Sequence, residues 1–187
     1  MPRWLVGLLA MFGIGCGFRD TVVNGVPNLV PAYPGSSARL WRMGQPADGA
    51  AWAYVAQTVA PDNRRVTVVK LNDEAEGSDE PAMLRNAWNV VKIPIPPKDD
   101  QPLTVFVQPS VYDVKRILDT IADAYTRGDT VVFHCTAGRD RTSIISGLLG
   151  MHLFGWSRER AWDDMVAHGY RWELPDLDLF FAKVGGR

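Results

Sequence analysis

One apolar run in the second half of the sequence constrains the fold more than any other feature. Residues 130–133 form a short, continuous apolar segment, which is typical of a strand buried on both faces of a parallel sheet. Residues 110–126 before it place apolar side chains at helical spacing, and Ser110 can cap that helix. A second helical pattern begins at residue 142. A helix, a buried strand and another helix in succession predict an α/β domain.

The remaining segments continue this alternation of strands and helices. Strands are predicted at 40–43, 65–71 and 90–95, and helices at 47–60, 142–154, 157–168 and 174–184. We therefore expect one compact domain over residues 40–187, which a chain of 187 residues can form around a single core. Residues 18–39 contain many Val, Pro, Asn, Gly and Ser residues and are interpreted as an extended lead-in segment.

Composition excludes several classes of function. The apolar fraction of 47% and the charged fraction of 22% are ordinary for a globular protein. The formal net charge of −1 provides no overall positive field for nucleic acid, so any anion must be recognised locally. The three histidines, His134, His152 and His168, are isolated from one another and have no metal-ligand spacing. We expect neither a metal nor a nucleic-acid partner.

The amino-terminal residues 1–17 differ from the rest of the chain. Arg3 is the only charged residue before Arg19, and residues 4–14 are an apolar run too short to span a bilayer but suited to a signal peptide. This predicts export to a bacterial envelope or secretion, with a cytoplasmic location or a buried amino-terminal helix as alternatives. Cys16 follows small residues and resembles the lipidated cysteine of bacterial lipoproteins, which implies a membrane tether; ordinary cleavage near Gly17 is the alternative.

The segment between the buried strand and the following helix carries the chemistry. Residues 134–142 have the sequence HCTAGRDRT, with five residues between Cys135 and Arg141. The first amides of a helix lack partners, and successive loop amides can surround the oxygens of a phosphate. Gly138 permits a backbone conformation that a β-carbon disfavours, and Arg141 offers a planar fork for two oxygens. The predicted phosphate-binding residues are Thr136, Ala137, Gly138, Arg139, Asp140 and Arg141.

Cys135 is the predicted nucleophile. A free thiol titrates near pH ~8.5, and a helix amino terminus with nearby cations lowers that value, so we expect a thiolate at neutral pH. Its attack on phosphorus would give a cysteinyl-phosphate that water hydrolyses, without any cofactor. Thr142 can donate a hydrogen bond to the sulfur, while His134 is expected to order the loop and tune the thiol. A structural cysteine is the alternative, which the adjacent charges argue against.

These residues resemble the signature loop, HCxxGxxRT, of the protein tyrosine and dual-specificity phosphatase superfamily, in its small bacterial form. Weaker similarities cover residues 41–46, 93–95 and 156–162. The resemblance implies a central, mostly parallel sheet flanked by helices, with the signature loop between a buried strand and a helix. Ser143 stands where many members have glycine, and its small size predicts little effect.

The general acid has three candidates. In this superfamily it is an aspartate on a loop about thirty residues before the cysteine, and Asp99 and Asp100 lie 36 and 35 positions before Cys135. Some bacterial relatives with a similar loop use the aspartate inside it, which corresponds to Asp140. Asp100 is our first choice, and only geometry can decide among the three because a general acid must reach the leaving oxygen.

Phosphotyrosine in a protein is the first choice of substrate, within a phosphotyrosine or dual-specificity class. The neighbouring Arg139 and Asp140 resemble loops of phosphatases that accept phosphoinositides, where the extra cation pairs with a second phosphate. A binding module that holds phosphate without turnover, and an exported domain that serves as an envelope anchor or partner, are alternatives from other classes. The sequence predicts no oligomeric state.

Overall fold

Five strands form the central sheet of the computed structural model, which describes residues 20–33, 39–73, 79, 88–95, 109–171 and 175–184. A two-stranded ribbon, β1 (Val22–Val23) and β2 (Val26–Pro27), precedes it along the chain. The sheet contains β3 (Val30–Pro31), β4 (Leu40–Gly44), β5 (Val66–Lys70), β6 (Asn89–Lys92) and β7 (Thr130–Cys135). Their spatial order is β3-β4-β7-β5-β6, and only the edge strand β3 is antiparallel to its neighbour. The predicted mostly parallel sheet is confirmed.

Strand β7 lies at the centre of this sheet, between β4 and β5. All six of its residues are buried, as the continuous apolar run predicts. Val131 and Phe133 pack into the core on one face of the sheet, and Val132 packs into the core on the other. The alternation follows from the two-residue period of a strand. The carboxyl end of the central strand therefore lies between two supporting strands.

Five helices are described: α1 (Gly49–Val59), α2 (Val111–Thr126), α3 (Asp140–Phe154), α4 (Arg158–Ala167) and α5 (Pro175–Val184). Side chains of Asp48, Ser110 and Ser157 accept hydrogen bonds from the first amides of α1, α2 and α4. Helix α3 begins two residues before the predicted start, because Asp140 and Arg141 join its first turn. Among the described residues, no helix has the length and apolar character needed to cross a membrane.

The predicted lead-in segment contributes to the packed domain. Strand β3 pairs with β4, and the Tyr33 side chain is buried and donates a hydrogen bond of 2.6 Å to the Ser146 carbonyl oxygen. Asn24 and Gly25 both have positive φ values, 49° and 75°, at the turn between β1 and β2. The described part of this segment is therefore folded against the sheet. The proposed signal peptide, including Cys16, lies outside the described residues.

Candidate active site

Cys135 is the last residue of β7, at the carboxyl edge of the sheet. Its register partner on β4 is Gly44. The chain then turns through residues 136–139 into α3, so the sulfur lies at the base of a loop that ends in a helix amino terminus. Arg139 occupies the capping position of α3 but its side chain makes no capping hydrogen bond. The predicted strand–loop–helix arrangement is confirmed.

Backbone contacts with the end of β4 set the shape of this loop. Gly138 has a φ of 73°, and a β-carbon there would lie 2.4 Å from the carbonyl carbon of Met43. The amide of Gln45 donates a hydrogen bond of 2.9 Å to the Thr136 carbonyl oxygen. Gly44 permits the same approach, because a β-carbon on it would lie 2.9 Å from the Thr136 carbonyl oxygen. The 41–46 segment thus supports the loop through its main chain.

The Cys135 sulfur has a hydrogen-bond donor directly beside it. The Thr142 hydroxyl donates to Sγ over 3.1 Å, and both residues are buried. A hydroxyl that donates to sulfur stabilises negative charge on it. The imidazole of His134 is buried, and its Nδ1 lies 3.4 Å from the Cys135 carbonyl oxygen.

Arg141 lies in the first turn of α3 and its side chain is only 4% exposed. Its Nη1 donates a hydrogen bond of 3.1 Å to the carbonyl oxygen of Ile95, which is held in turn by a bond from its amide to the Leu71 carbonyl oxygen. The sequence-predicted acids Asp99 and Asp100 follow Ile95 by four and five positions and lie outside the described residues. Ile95, the last described residue before these two acids, therefore contacts the Arg141 guanidinium.

Asp140, the third acid candidate, is engaged by Arg171. The Arg171 guanidinium donates to both carboxylate oxygens over 2.5–3.2 Å, and the Arg171 amide donates to Oδ1 over 3.1 Å. An ionised carboxylate, which has only acceptors, suits this arrangement. The contact also links the signature loop to the turn that follows α4.

Arg139 points toward the amino-terminal ribbon. Its Nη1 donates to Asp20 Oδ2 over 3.0 Å, and its Nε donates to the Gly169 carbonyl oxygen over 3.1 Å. Asn28 holds the same part of the chain to the loop, because its Nδ2 donates to the Ala137 carbonyl oxygen over 2.9 Å. The cation that the sequence assigns to a second phosphate is thus already paired with a carboxylate.

The Arg42 side chain on β4 holds the loop through hydrogen bonds. It was not among the site residues predicted from the sequence. Its guanidinium is 1% exposed, and Nη2 donates to the Gly138 carbonyl oxygen over 3.2 Å and to the Ser143 hydroxyl over 2.5 Å. Nη1 lies 3.9 Å from Asp164 Oδ2, an ion pair longer than a hydrogen bond. Burial lowers the pKa of Arg42 to about 10, although the charges of Asp164 and Cys135 oppose that shift. Arg42 is therefore charged at neutral pH.

A second buried polar cluster surrounds His134. Asp79, which is 8% exposed, accepts a hydrogen bond of 3.0 Å from Gln45 Nε2 and lies 3.2 Å from Lys70 Nζ and 3.4 Å from His134 Nε2. Burial by itself would raise the pKa of the Asp79 carboxyl. The contacts with His134, Gln45 and Lys70 outweigh burial and lower the pKa to about 2. This cluster joins β5 and β7 to the residue that follows β4, and His134 directly precedes Cys135 in the chain.

The sequence contains little that would have identified Arg42, Asp79 and Arg171. Arg42 lies within the 41–46 similarity, which assigns it no role. Asp79 is one of several acids in a polar loop, and nothing in the sequence distinguishes it from its neighbours. The parts of the chain that the structure describes contain no group of His, Cys, Asp and Glu side chains suited to a metal ion.

Comparison with known proteins agrees with the geometry. The model of a tyrosine phosphatase family matches residues 67–169, more than half of the chain. Tk-PTP in its active form shares the fold with a TM-score of 0.65 and 20% identity, covering 86% of this chain and 98% of its own. No curated protein sequence gives a match.

Two further solved structures share the fold. TpbA of P. aeruginosa has a TM-score of 0.61 and 19% identity, covering 90% of this chain and 91% of its own. PTPMT1 in complex with PI(5)P has a TM-score of 0.58 and 16% identity, covering 83% of this chain and 96% of its own. With the signature loop formed between the central strand and α3, and the family match extending across both, this chain belongs to the tyrosine phosphatase family.

Proposed function

We propose that this protein hydrolyses phosphate monoesters through a cysteinyl-phosphate intermediate, with phosphotyrosine in proteins as its substrate. The observation that carries the proposal is the hydrogen bond of 3.1 Å from the Thr142 hydroxyl to the Cys135 sulfur, at the base of a loop that continues into α3. A nucleophilic thiolate needs such a donor, and a phosphate needs the adjoining amides and Arg141.

In the first step, the Cys135 thiolate attacks phosphorus and forms a sulfur–phosphorus bond while the bond from phosphorus to the ester oxygen breaks. The loop amides and the Arg141 guanidinium hold the non-bridging oxygens and stabilise their charge. The leaving oxygen takes a proton from an aspartic acid, which matters most when the leaving group is an alkoxide.

In the second step, water attacks phosphorus and the sulfur–phosphorus bond breaks. The aspartate formed in the first step takes the proton from water, and inorganic phosphate leaves. The Thr142 hydroxyl stabilises the thiolate as it returns. No cofactor enters either step.

The acid that we propose is Asp100, with Asp99 as the alternative on the same segment. Both positions follow Ile95 by only four and five residues, and the Ile95 carbonyl oxygen accepts a hydrogen bond from Arg141. Asp140 is assigned instead to anchoring the loop, because Arg171 occupies both of its oxygens.

One assay tests the phosphatase proposal. We expect the wild-type protein to release phosphate from p-nitrophenyl phosphate in a vanadate-sensitive reaction, and Cys135→Ser to lose it. A phosphotyrosine peptide retained by Cys135→Ser would separate turnover from simple binding. Turnover that persists in Cys135→Ser would contradict the mechanism, and binding without turnover by the wild type would support a non-catalytic module.

The bound ligands of two structural relatives correspond to the proposed substrate and to its alternative. TpbA of P. aeruginosa has also been solved in complex with pTyr, with a TM-score of 0.58 to this chain. The PTPMT1 structure holds PI(5)P, and phosphoinositides are the alternative substrate here. The pairing of Arg139 with Asp20 favours a substrate with one phosphate.

We further propose that the chain is exported and lipidated at Cys16, giving a tether to a bacterial envelope. The apolar run at 4–14 and the small residues before Cys16 support this proposal. Labelled palmitate should appear on the wild type and be absent from Cys16→Ala; equal labelling of both, or of neither, would contradict lipidation.

A further inference from the structure

The amino-terminal ribbon places a carboxylate against the signature loop. Asp20 is half-exposed, and its Oδ2 accepts the hydrogen bond of 3.0 Å from Arg139 Nη1. Gly169 holds the same guanidinium through its carbonyl oxygen. These two contacts orient the Arg139 side chain, and of the two acceptors the Asp20 carboxylate is the charged one.

Asn28 holds Asp20 in this position. Its side chain is nearly buried, and its Nδ2 donates both to Asp20 Oδ1 over 3.0 Å and to the Ala137 carbonyl oxygen over 2.9 Å. Its Oδ1 accepts a bond of 2.9 Å from the Thr21 amide. A positive φ of 52° at Asn28 directs the chain through this turn, a conformation that asparagine tolerates better than most residues. A buried asparagine thus holds one member of a partly exposed ion pair in place.

We infer that Asp20 is a specificity-determining residue that neutralises Arg139 and selects against substrates carrying a second phosphate. The inference rests on the proposed phosphatase function. A second phosphate near the loop would need a cation, and a phosphate that approached Arg139 would compete with the Asp20 carboxylate for its guanidinium. A substrate with a single phosphate needs only the loop amides and Arg141, and is unaffected.

The test compares substrates with one and two phosphates in Asp20→Asn. The probes are p-nitrophenyl phosphate, a short-chain phosphatidylinositol monophosphate, the corresponding bisphosphate, and a lipid-free inositol bisphosphate. We expect kcat/KM for both bisphosphates to rise by about fivefold to tenfold relative to the monophosphates, as removal of a charge at close range predicts in a partly exposed site. A rise in kcat/KM for the phosphatidylinositol bisphosphate but not for the lipid-free inositol bisphosphate would show that selection acts on the lipid headgroup rather than on a free phosphorylated inositol.

Three comparisons make this test specific. Asp20→Asn combined with Arg139→Gln should lose the gain, since the guanidinium that Asp20 neutralises is then absent. Asn28→Gly, which keeps the turn but removes the side chain that holds Asp20, should move the ratio in the same direction as Asp20→Asn. Asp62→Asn removes a carboxylate of similar exposure from an Asp–Arg pair. This pair precedes β5, at the amino-terminal end of the parallel strands and opposite to the signature loop, so the ratio should stay unchanged.

Ionic strength provides an independent readout. Because Asp20 and Arg139 are partly exposed, the difference between wild type and Asp20→Asn should shrink as salt is added. An unchanged ratio of bisphosphate to monophosphate turnover in Asp20→Asn, or a parallel fall on every substrate, would overturn the inference and leave a purely structural contact. A wild-type protein inactive on p-nitrophenyl phosphate would overturn the phosphatase function and the inference together.

Discussion

At the scale of single residues, the signature loop contains two charged side chains whose partners lie far away in sequence. Arg171 binds Asp140, and Asp20 binds Arg139. Both contacts use the two side chains that directly precede Arg141 in the sequence. Arg141, in the first turn of α3, donates to the Ile95 carbonyl oxygen and is the guanidinium that we propose binds the substrate phosphate.

The first prediction separates an anchoring role of Asp140 from an acid role. If Asp140 anchors the loop, Asp140→Asn should lower kcat/KM by a similar factor on alkyl phosphates and on aryl phosphates with good leaving groups. Asp100→Asn should lower turnover of alkyl phosphates far more, because a poor leaving group depends on protonation. Steady-state kinetics on both substrate types measures the ratio.

The matching control is Arg171→Met, which removes the guanidinium donors to Asp140 and keeps an unbranched side chain and the bond from the residue 171 amide. It should reproduce the substrate-independent loss of Asp140→Asn. A loss in Asp140→Asn confined to alkyl phosphates would instead identify Asp140 as the acid.

At the scale of elements, the end of β4 packs closely against the signature loop and holds it through hydrogen bonds. Gly44 and Gly138 allow the two main chains to approach, and Arg42 from β4 donates to groups on both sides of the loop–helix boundary. Ser143, expected from the sequence to matter little, accepts one of these bonds. Its hydroxyl gives a buried guanidinium an acceptor that a glycine at this position would not supply.

The second prediction follows from that bond. Ser143→Ala should lower the free energy of unfolding by about 1–3 kcal/mol, because a buried guanidinium donor loses its partner. Denaturant unfolding monitored by tryptophan fluorescence measures the change. Thr120→Ala, which removes an exposed hydroxyl bonded within α2, should cost much less; equal losses in the two variants would argue against a supporting role for Ser143.

At the scale of the whole molecule, the buried cluster around Asp79 joins a residue after β5 to two strands of the sheet and to the residue that follows a third. Asp79 contacts Lys70 on β5, Gln45 after β4 and His134 on β7. Its lowered pKa means that the folded protein holds this carboxylate ionised more strongly than the unfolded chain does. The cluster therefore contributes stability that depends on pH.

The third prediction gives the direction of that dependence. A pKa of about 2 in the folded state, against about 3.9 in the unfolded state, places the full contribution above pH 4 and removes it as the pH falls toward 2. Asp79→Asn should therefore be less stable than wild type by about 2 kcal/mol at pH 7, and the difference should vanish in that acid range. Unfolding curves at several pH values measure it.

Asp123→Asn, on the exposed face of α2, is the control and should follow the wild-type curve. A deficit in Asp79→Asn that stayed constant from pH 7 to pH 2 would show that lost packing, rather than lost charge, explains the effect.

The fold and the centre of the site could be predicted because their signals are local. The continuous apolar run of β7 indicates a strand, and the helical spacing of apolar residues in α2 indicates a helix. Each pattern can be recognised within one short stretch of sequence. The spacing of Cys135 and Arg141 belongs to one continuous loop, so the proposed nucleophile, the proposed phosphate-binding guanidinium and the Thr142 donor could be predicted from the sequence.

The partners of the loop required the tertiary structure. Four distant residues contact the 134–143 segment: Asp20, Arg42, Asp79 and Arg171. These contacts depend on the tertiary structure, in which the parallel strands end on the same side of the sheet and the chain returns to that side after α4. By itself, the sequence determined the α/β fold class and the phosphatase signature loop with its proposed reacting groups, because both depend on patterns within short stretches of the chain. The three-dimensional packing alone decided which distant charges surround that loop, because pairing across tens of residues depends on strand order and register rather than on local pattern.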